Sequence, residues 1–362
     1  MRFINFFSVK VWRPHCLIFF ITSLSFQIGY SQKTIKNIDS SMQVLRSLPN
    51  DTNKVRLLQE IGGHYNVTAL DSAKAFLEEG LALAKTLQYA EGEWMTLSTL
   101  GNYYERKTAY DTALVHYNKA IAIVENLDSN KGRAIVYNNL AMVDIRKGDY
   151  QEALEKMFTA LRAEEAIDNK QGIAEAYNNI GVAYYYMQDF DKATEYLLKA
   201  LEQQKTIGNI TGLQQGYNNV GAIFDYQKKY DKAIETYEKA LAISRELNDR
   251  TLEASNLANI ALAYTKIPDF EKADQFFEES LAVRSEIDDK NGLAHSYSSF
   301  GESLRLQKRY NLAEKYLQKG LQYAQENNIK RSVRETYGSL AELAKDRGNS
   351  KVEAIYLNSQ QL

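Results

Sequence analysis

Cysteine is almost missing from this sequence. Cys16 stands alone, and it falls in the first 31 residues, which read as a leader. A chain with one thiol, lost with its leader, has no disulfide scaffold, no thiolate zinc site and no cysteine nucleophile. Proline is nearly as scarce, at 3 residues. Few prolines and many Ala, Leu, Glu and Lys favour helix. No charge dominates either, with 44 basic residues against 46 acidic, so there is no electrostatic case for nucleic acid. No Gly-rich phosphate loop, no G-x-S-x-G elbow and no H-E-x-x-H is present. His64, His116 and His295 are too scattered for a helix-borne metal pair. Neither catalytic residues nor cofactors nor metals are expected.

The leader has a basic start in Arg2, Lys10 and Arg13, an apolar run from Leu17 to Ile28, and small residues at Gly29 and Ser31. That reads as a secretory signal over residues 1–31, cleaved after Ser31. Its removal leaves 41 basic against 46 acidic residues. No later apolar run approaches the 20 or so residues of a membrane span. The expected location is across the inner membrane, in the periplasm.

What the sequence has in abundance is a period. Gly132, Gly172, Gly212 and Gly292 stand forty residues, or a multiple of forty, apart. Large–small pairs follow eight residues on: Leu100-Gly101, Leu140-Ala141, Ile180-Gly181, Val220-Gly221, Ile260-Ala261, Phe300-Gly301 and Leu340-Ala341. Ile61-Gly62 continues the series with one residue lost. A second phase holds Tyr110, Tyr150, Phe190, Tyr230, Phe270 and Tyr310, each three residues before an alanine. Seven further on come Ala120, Ala160, Ala200, Ala240, Ser280 and Gly320. Within each half-unit, apolar residues recur at helical spacing, and Asp, Asn and Gly cluster between halves. Each unit therefore reads as two amphipathic helices. The small residues Gly181, Ala193 and Ala200 mark where helix backbones come closest.

This framework resembles the tetratricopeptide repeat, in a forty-residue form similar to the repeats of kinesin light chains and of certain bacterial regulators. The resemblance implies an all-α fold, a right-handed superhelical solenoid of antiparallel helix pairs. It divides the chain into the signal (1–31), an N-terminal capping helix (32–53), seven repeats (54–331) and an incomplete C-terminal repeat or cap (332–362). The opening "SLPNDTNKVRLLQEIGGHY" also looks like the extracytoplasmic repeat region of bacterial sensor histidine kinases and of regulators with DNA-binding tails.

The resemblance also implies a groove lined by the first helix of each pair. The groove candidates are Asn138, Met142 and Arg146, then Asn178, Tyr185 and Tyr186, then Asn218 and Tyr226, then Lys266. Glu175, His295, Glu302 and Arg305 belong to the same rows. Asparagine pairs occupy 138–139, 178–179 and 218–219, and Asn259 keeps the second member alone. An amide donates and accepts, so a ladder of Asn138, Asn178 and Asn218 would suit an extended peptide backbone. Tyr185, Tyr186 and Tyr226 would add contact area, and Arg146 and Lys266 would fix an acidic group. The second amides, Asn139, Asn179, Asn219 and Asn259, are assigned to register between neighbouring helices instead. The expected function is an exported, non-catalytic scaffold holding a peptide or protein segment, with self-association open. The other reading is the sensory half of a histidine-kinase or DNA-binding regulator system that lacks its output domain.

Overall fold

The computed structural model describes residues 38–360; the leader assigned to 1–31 lies outside them. The described residues form helices α1 (Ile38–Ser47), α2 (Thr52–Thr68), α3 (Leu70–Thr86), α4 (Ala90–Arg106), α5 (Tyr110–Asn126) and α6 (Asn130–Lys147). There follow α7 (Tyr150–Ala166), α8 (Lys170–Tyr186), α9 (Phe190–Thr206), α10 (Ile210–Tyr226), α11 (Tyr230–Glu246) and α12 (Arg250–Lys266). The series closes with α13 (Phe270–Glu286), α14 (Lys290–Leu306), α15 (Tyr310–Glu326), α16 (Lys330–Asp346) and α17 (Ser350–Ser359). No strand occurs among them. The fold is all-α, a helical-repeat solenoid built of antiparallel helix pairs.

The period has a simple origin. Nearly every helix is 17 residues long. A residue with positive φ punctuates the chain every twenty positions, at 88, 108, 128, 148 and onward to 348. Such a residue ends a helix by turning its N–H back onto the last free carbonyls. The next N–H then reaches five residues back, as Asp189 does to the Tyr184 carbonyl at 3.0 Å. The chain re-enters helix on a side-chain cap in several repeats: Asp189, Asp249, Asp269 and Asp289 each accept the N–H three residues on.

The small residues answer two kinds of close approach. A Cβ at Gly101 would stand 2.3 Å from the Tyr117 ring, and one at Gly181 2.8 Å from Leu197 Cγ, so the first helix of each pair sits hard against the second. Ala113, Ala153, Ala193, Ala233, Ala273 and Ala313 are all fully buried at the same contact. The Gly132 phase serves the joint between pairs. A Cβ there would lie 2.5 Å from Val124, and at Gly172, Gly212 and Gly292 it would meet Glu164, Gln204 and Arg284. In every case the obstructing side chain comes eight residues earlier, from the last turn of the preceding second helix.

The described residues divide into two compact units, one ending at Gly216 and the other beginning at Tyr217. In the first, Trp94, Leu97, Tyr117, Val124 and Val136 pack in one cluster and Met142, Leu154, Met157, Leu161 and Ile180 in the next. In the second, Tyr237, Leu257 and Ile260 lead to Phe277, Phe300, Leu317 and Leu340. Helix α1 contributes no buried residue, and α17 leaves Ile355 and Leu357 exposed.

Candidate functional site

First helices of successive pairs lie side by side, and their facing side chains meet in steps of about 41 residues. In the unit ending at Gly216, Gln59 Nε2 donates to Thr99 Oγ1 at 3.0 Å, Asn139 Nδ2 to Ser98 Oγ at 3.1 Å, and Asn179 Nδ2 to Asn138 Oδ1 at 2.9 Å. In the other unit, Asn259 Nδ2 donates to Asn218 Oδ1 at 3.1 Å. The two members of an Asn pair thus do complementary work. At 138–139 the first accepts from the following repeat while the second donates to the preceding one, and Asn218 and Asn179 show one of these roles each. Adjacent helical residues point about 100° apart, so one amide can face each neighbouring repeat.

Three of the groove candidates lie against neighbouring helices. Asn218 is buried, at 6% exposure, and its carbonyl oxygen is taken by Asn259. Asn138 is half-buried, with its oxygen likewise taken by Asn179. Met142, at 8% exposure, belongs to the core with Leu154, Met157 and Ile180, because its face of α6 turns toward the neighbouring helices. Asn178 stays half-buried on α8, with an interaction of its own.

The cationic candidates are also engaged. Arg146 Nε lies 2.6 Å from Glu105 Oε1, and Lys266 Nζ lies 2.5 Å from Asp225 Oδ2. Arg305 pairs with Glu302 at 2.7 Å and also with Asp346. Glu105, Asp225 and Asp346 each stand 41 residues from their partner. Counting in steps of 41 rather than 40 would have found them in the sequence. Glu105 also approaches the Tyr117 hydroxyl at 3.2 Å, which donates to Asn102 Oδ1 at 2.6 Å. Burial and the Glu105 charge push the Tyr117 phenol up, so it stays protonated.

Tyr185 and Tyr186 are half-buried and belong to an aromatic cluster. Tyr186 stacks on Tyr150 at 5.7 Å with planes 4° apart, and Tyr185 packs edge-on against Tyr186 at 5.7 Å and Phe190 at 6.0 Å. Tyr184 turns the other way, stacking on Tyr196 at 5.5 Å among core residues. Tyr226 is half-buried in the other unit. Desolvation and the nearby Arg284 charge press the His295 imidazole down to about 4, so it is neutral. Its Nδ1 lies 3.5 Å from Ser299 Oγ. No group of three or more potential metal ligands occurs among the described residues, and no helix there is long and apolar enough to cross a membrane.

The tetratricopeptide repeat family profile matches residues 93–163, 132–206, 213–286 and 254–326. No curated protein matches the chain significantly. Solved structures share the fold at low identity. The apo form of the quorum sensor NprR from B. thuringiensis superposes with a TM-score of 0.66 at 13% identity, covering 95% of this chain and 96% of that one. A Rap protein complexed with competence and sporulation factor gives 0.60 at 14%, covering 96% of this chain and 95% of that one. A signal transduction ATPase with numerous domains and a tetratricopeptide repeat sensor, from Pyrococcus horikoshii, gives 0.58 at 16%, covering 94% of this chain and 54% of that one.

Proposed function

The chain belongs to the tetratricopeptide repeat family, and from that membership and the first-helix faces we propose that it is an exported, non-catalytic scaffold that holds a peptide or protein segment. The carrying observation is the half-buried aromatic cluster of Tyr150, Tyr185, Tyr186 and Phe190, which lies on α8 and the helix starts beside it. Rings that keep part of their surface in water offer rigid, amphipathic contact area at low entropic cost. The Arg146–Glu105 pair stands at the cluster's edge, and the Arg146 charge acts on Tyr186. Two structural neighbours support the reading by what they hold or are: one is complexed with competence and sporulation factor, and the other is a quorum sensor.

The test is a crosslinking pull-down from the native envelope, followed by calorimetric titration of whatever is captured. Tyr185→Ala combined with Tyr186→Ala should weaken that partner by at least about tenfold. Unchanged binding would reject this face as the site. Export is read from the leader and is checked by cell fractionation; retention in the cytoplasm would reject it.

A second reading is that the array is the input half of a signalling system. It is favoured by the neighbour in which a tetratricopeptide repeat sensor forms part of a signal transduction ATPase. An adjoining reading frame encoding a membrane helix and a kinase or DNA-binding domain would support it, and the absence of such a frame would count against it.

A further inference from the structure

Buried carboxylates in this chain are almost all compensated. Asp144 lies 2.5 Å from Lys156, Asp225 meets Lys266, and Glu253 is held by both Arg245 and Arg250. Glu164, at 8% exposure, is the exception among the described buried carboxylates. Its one side-chain bond is from Asn169 Nδ2 at 2.8 Å, and a neutral amide brings no charge. Glu175, half-buried on α8, is in the same condition. It accepts from Gln171 Nε2 at 2.7 Å, and no ion pair joins it to a Lys or Arg among the described residues. Desolvation raises the affinity of both carboxyls for a proton, and the Glu164 charge adds to the effect at Glu175.

A separate observation points to the same place. Gln204 is 6% exposed, and its Oε1 has no hydrogen-bond partner. That oxygen and Asn209 Nδ2 lie 2.4 and 2.8 Å from one point, where a Cβ on Gly212 would stand. Asn209 donates to Gln171 Oε1 at 3.1 Å, and Gln171 donates to Glu175. Gln204 and Glu164 occupy equivalent places in consecutive repeats, each seated against a glycine. Glu164 and Gln204 thus place acceptor oxygens at the joints before and after α8, and Glu175 lies on α8 within reach of the Glu164 charge. A buried acceptor left without a donor is costly, and a cation is the donor that a carboxylate held only by neutral amides lacks.

Resting on the scaffold reading above, we propose that Glu175, backed by Glu164 and Gln204, anchors a positively charged nitrogen group of the bound peptide: a lysine, an arginine or an N-terminal amine. The spacing sets the register. Glu175, Asn178 and Tyr185 or Tyr186 follow one another at helical spacing along one face of α8. Ten residues of helix from Glu175 to Tyr185 span about 15 Å, and an extended peptide covers that with about five residues. The ligand thus carries its basic group about five residues from an apolar or aromatic anchor.

The experiment immobilises the full chain and offers two degenerate peptide libraries. Both fix a tryptophan, and about five residues away one fixes lysine and the other norleucine. The expected result is retention of the lysine library by at least about tenfold over the norleucine library. Glu175→Gln, which keeps an acceptor for Gln171, should remove that preference while leaving norleucine-library retention unchanged. Glu164→Gln should weaken the preference without abolishing retention. Equal retention of both libraries by the unmodified protein overturns the anchor and leaves the groove standing. So does a lysine preference that survives Glu175→Gln. Retention of neither library defeats the groove reading itself, and the anchor falls with it. Calcium chloride alone raising the melting temperature of the unmodified protein, but not of Glu175→Gln, would assign the oxygens to a metal ion and overturn the proposal.

Discussion

The rung between Asn138 and Asn179 can be measured by a double-mutant cycle. Asn179→Ala removes the amide that donates to Asn138 Oδ1 at 2.9 Å. A neutral hydrogen bond of this kind is worth about 0.5–1.5 kcal/mol net. Asn179 is buried, at 9% exposure, so its truncation also leaves a small void. Against this, alanine is the better helix former, by roughly 0.5 kcal/mol. The single variant should therefore lose about 1 kcal/mol. Asn138 is half-buried, and water can reach the oxygen left behind, which keeps the loss near that figure. The informative quantity is the coupling. Asn138→Ala and Asn179→Ala, made singly and together and followed by urea unfolding, should couple by about 0.5–1.5 kcal/mol. Amide hydrogen exchange in α6 and α8 should localise the loss to that joint. The same cycle on Asn218 and Asn259, in the other unit, should give a similar value. Coupling within the roughly 0.3–0.5 kcal/mol scatter of independent sites would mean that the amides touch without fixing register.

Two further substitutions test strain and charge. Pro268 stands in the turn between α12 and α13 at the place that Gln188, Lys228 and Lys308 fill in the left-handed region in equivalent turns, a conformation its ring resists. It also lacks the N–H that Lys228 and Lys308 donate, at 3.0 and 2.9 Å, in the equivalent turns. Pro268→Gly should stabilise the chain by about 1 kcal/mol, a strain of roughly 1–3 kcal/mol relieved less the entropy of glycine; a lower urea midpoint would refute this. Glu164 is raised above its usual value of 4.5 by burial, so folding protects the protonated form. The penalty for its charge is absent below the unfolded value, grows between the two values, and is complete above the folded one. Glu164→Gln should therefore raise stability at about pH 7.5, by less than about 1 kcal/mol after allowing for partial solvation, and change nothing at about pH 3.5. A gain of equal size at both pH values would show that charge is not the cause.

How far the sequence could be read follows from which constraints act on residue type. A Cβ at Gly101 or Gly181 would meet a side chain of the paired helix at 2.3 or 2.8 Å and Ala193 is fully buried beside it, so only small residues fit there and the period is plain. The Gly132 phase was equally visible, but its reason was not. The side chain it makes room for is Val124 in one repeat, Glu164, Gln204 and Arg284 in others, a set with no common chemistry. The second Asn of each pair was assignable to register, because a buried amide needs a fixed partner. The partners of Asn138 and Asn218 were not legible because each lies in the next repeat at a step of 41, one residue off the period. The same offset hid the carboxylates that hold Arg146 and Lys266.

These internal rungs bear on where a guest's identity could be read. A side chain already bonded to the adjacent repeat can recognise a ligand only by giving up that bond, and the exchange gains little. Arg146 and Lys266, which sequence reasoning offered as anchors for an acidic group, are committed to Glu105 and Asp225 at 2.6 and 2.5 Å. An acidic ligand would have to displace a carboxylate in each case. The opposite sign meets no such competition on α8, where Glu175 has a neutral amide for a neighbour and the Glu164 charge raises its carboxyl further. The aromatic cluster at the other end of that helix is likewise only partly covered by its own rings. Recognition on this face should then favour a basic and apolar segment over an acidic one. A captured partner whose bound stretch proved acidic would show that the rungs open on binding, and that the interactions between repeats are weaker than their geometry implies.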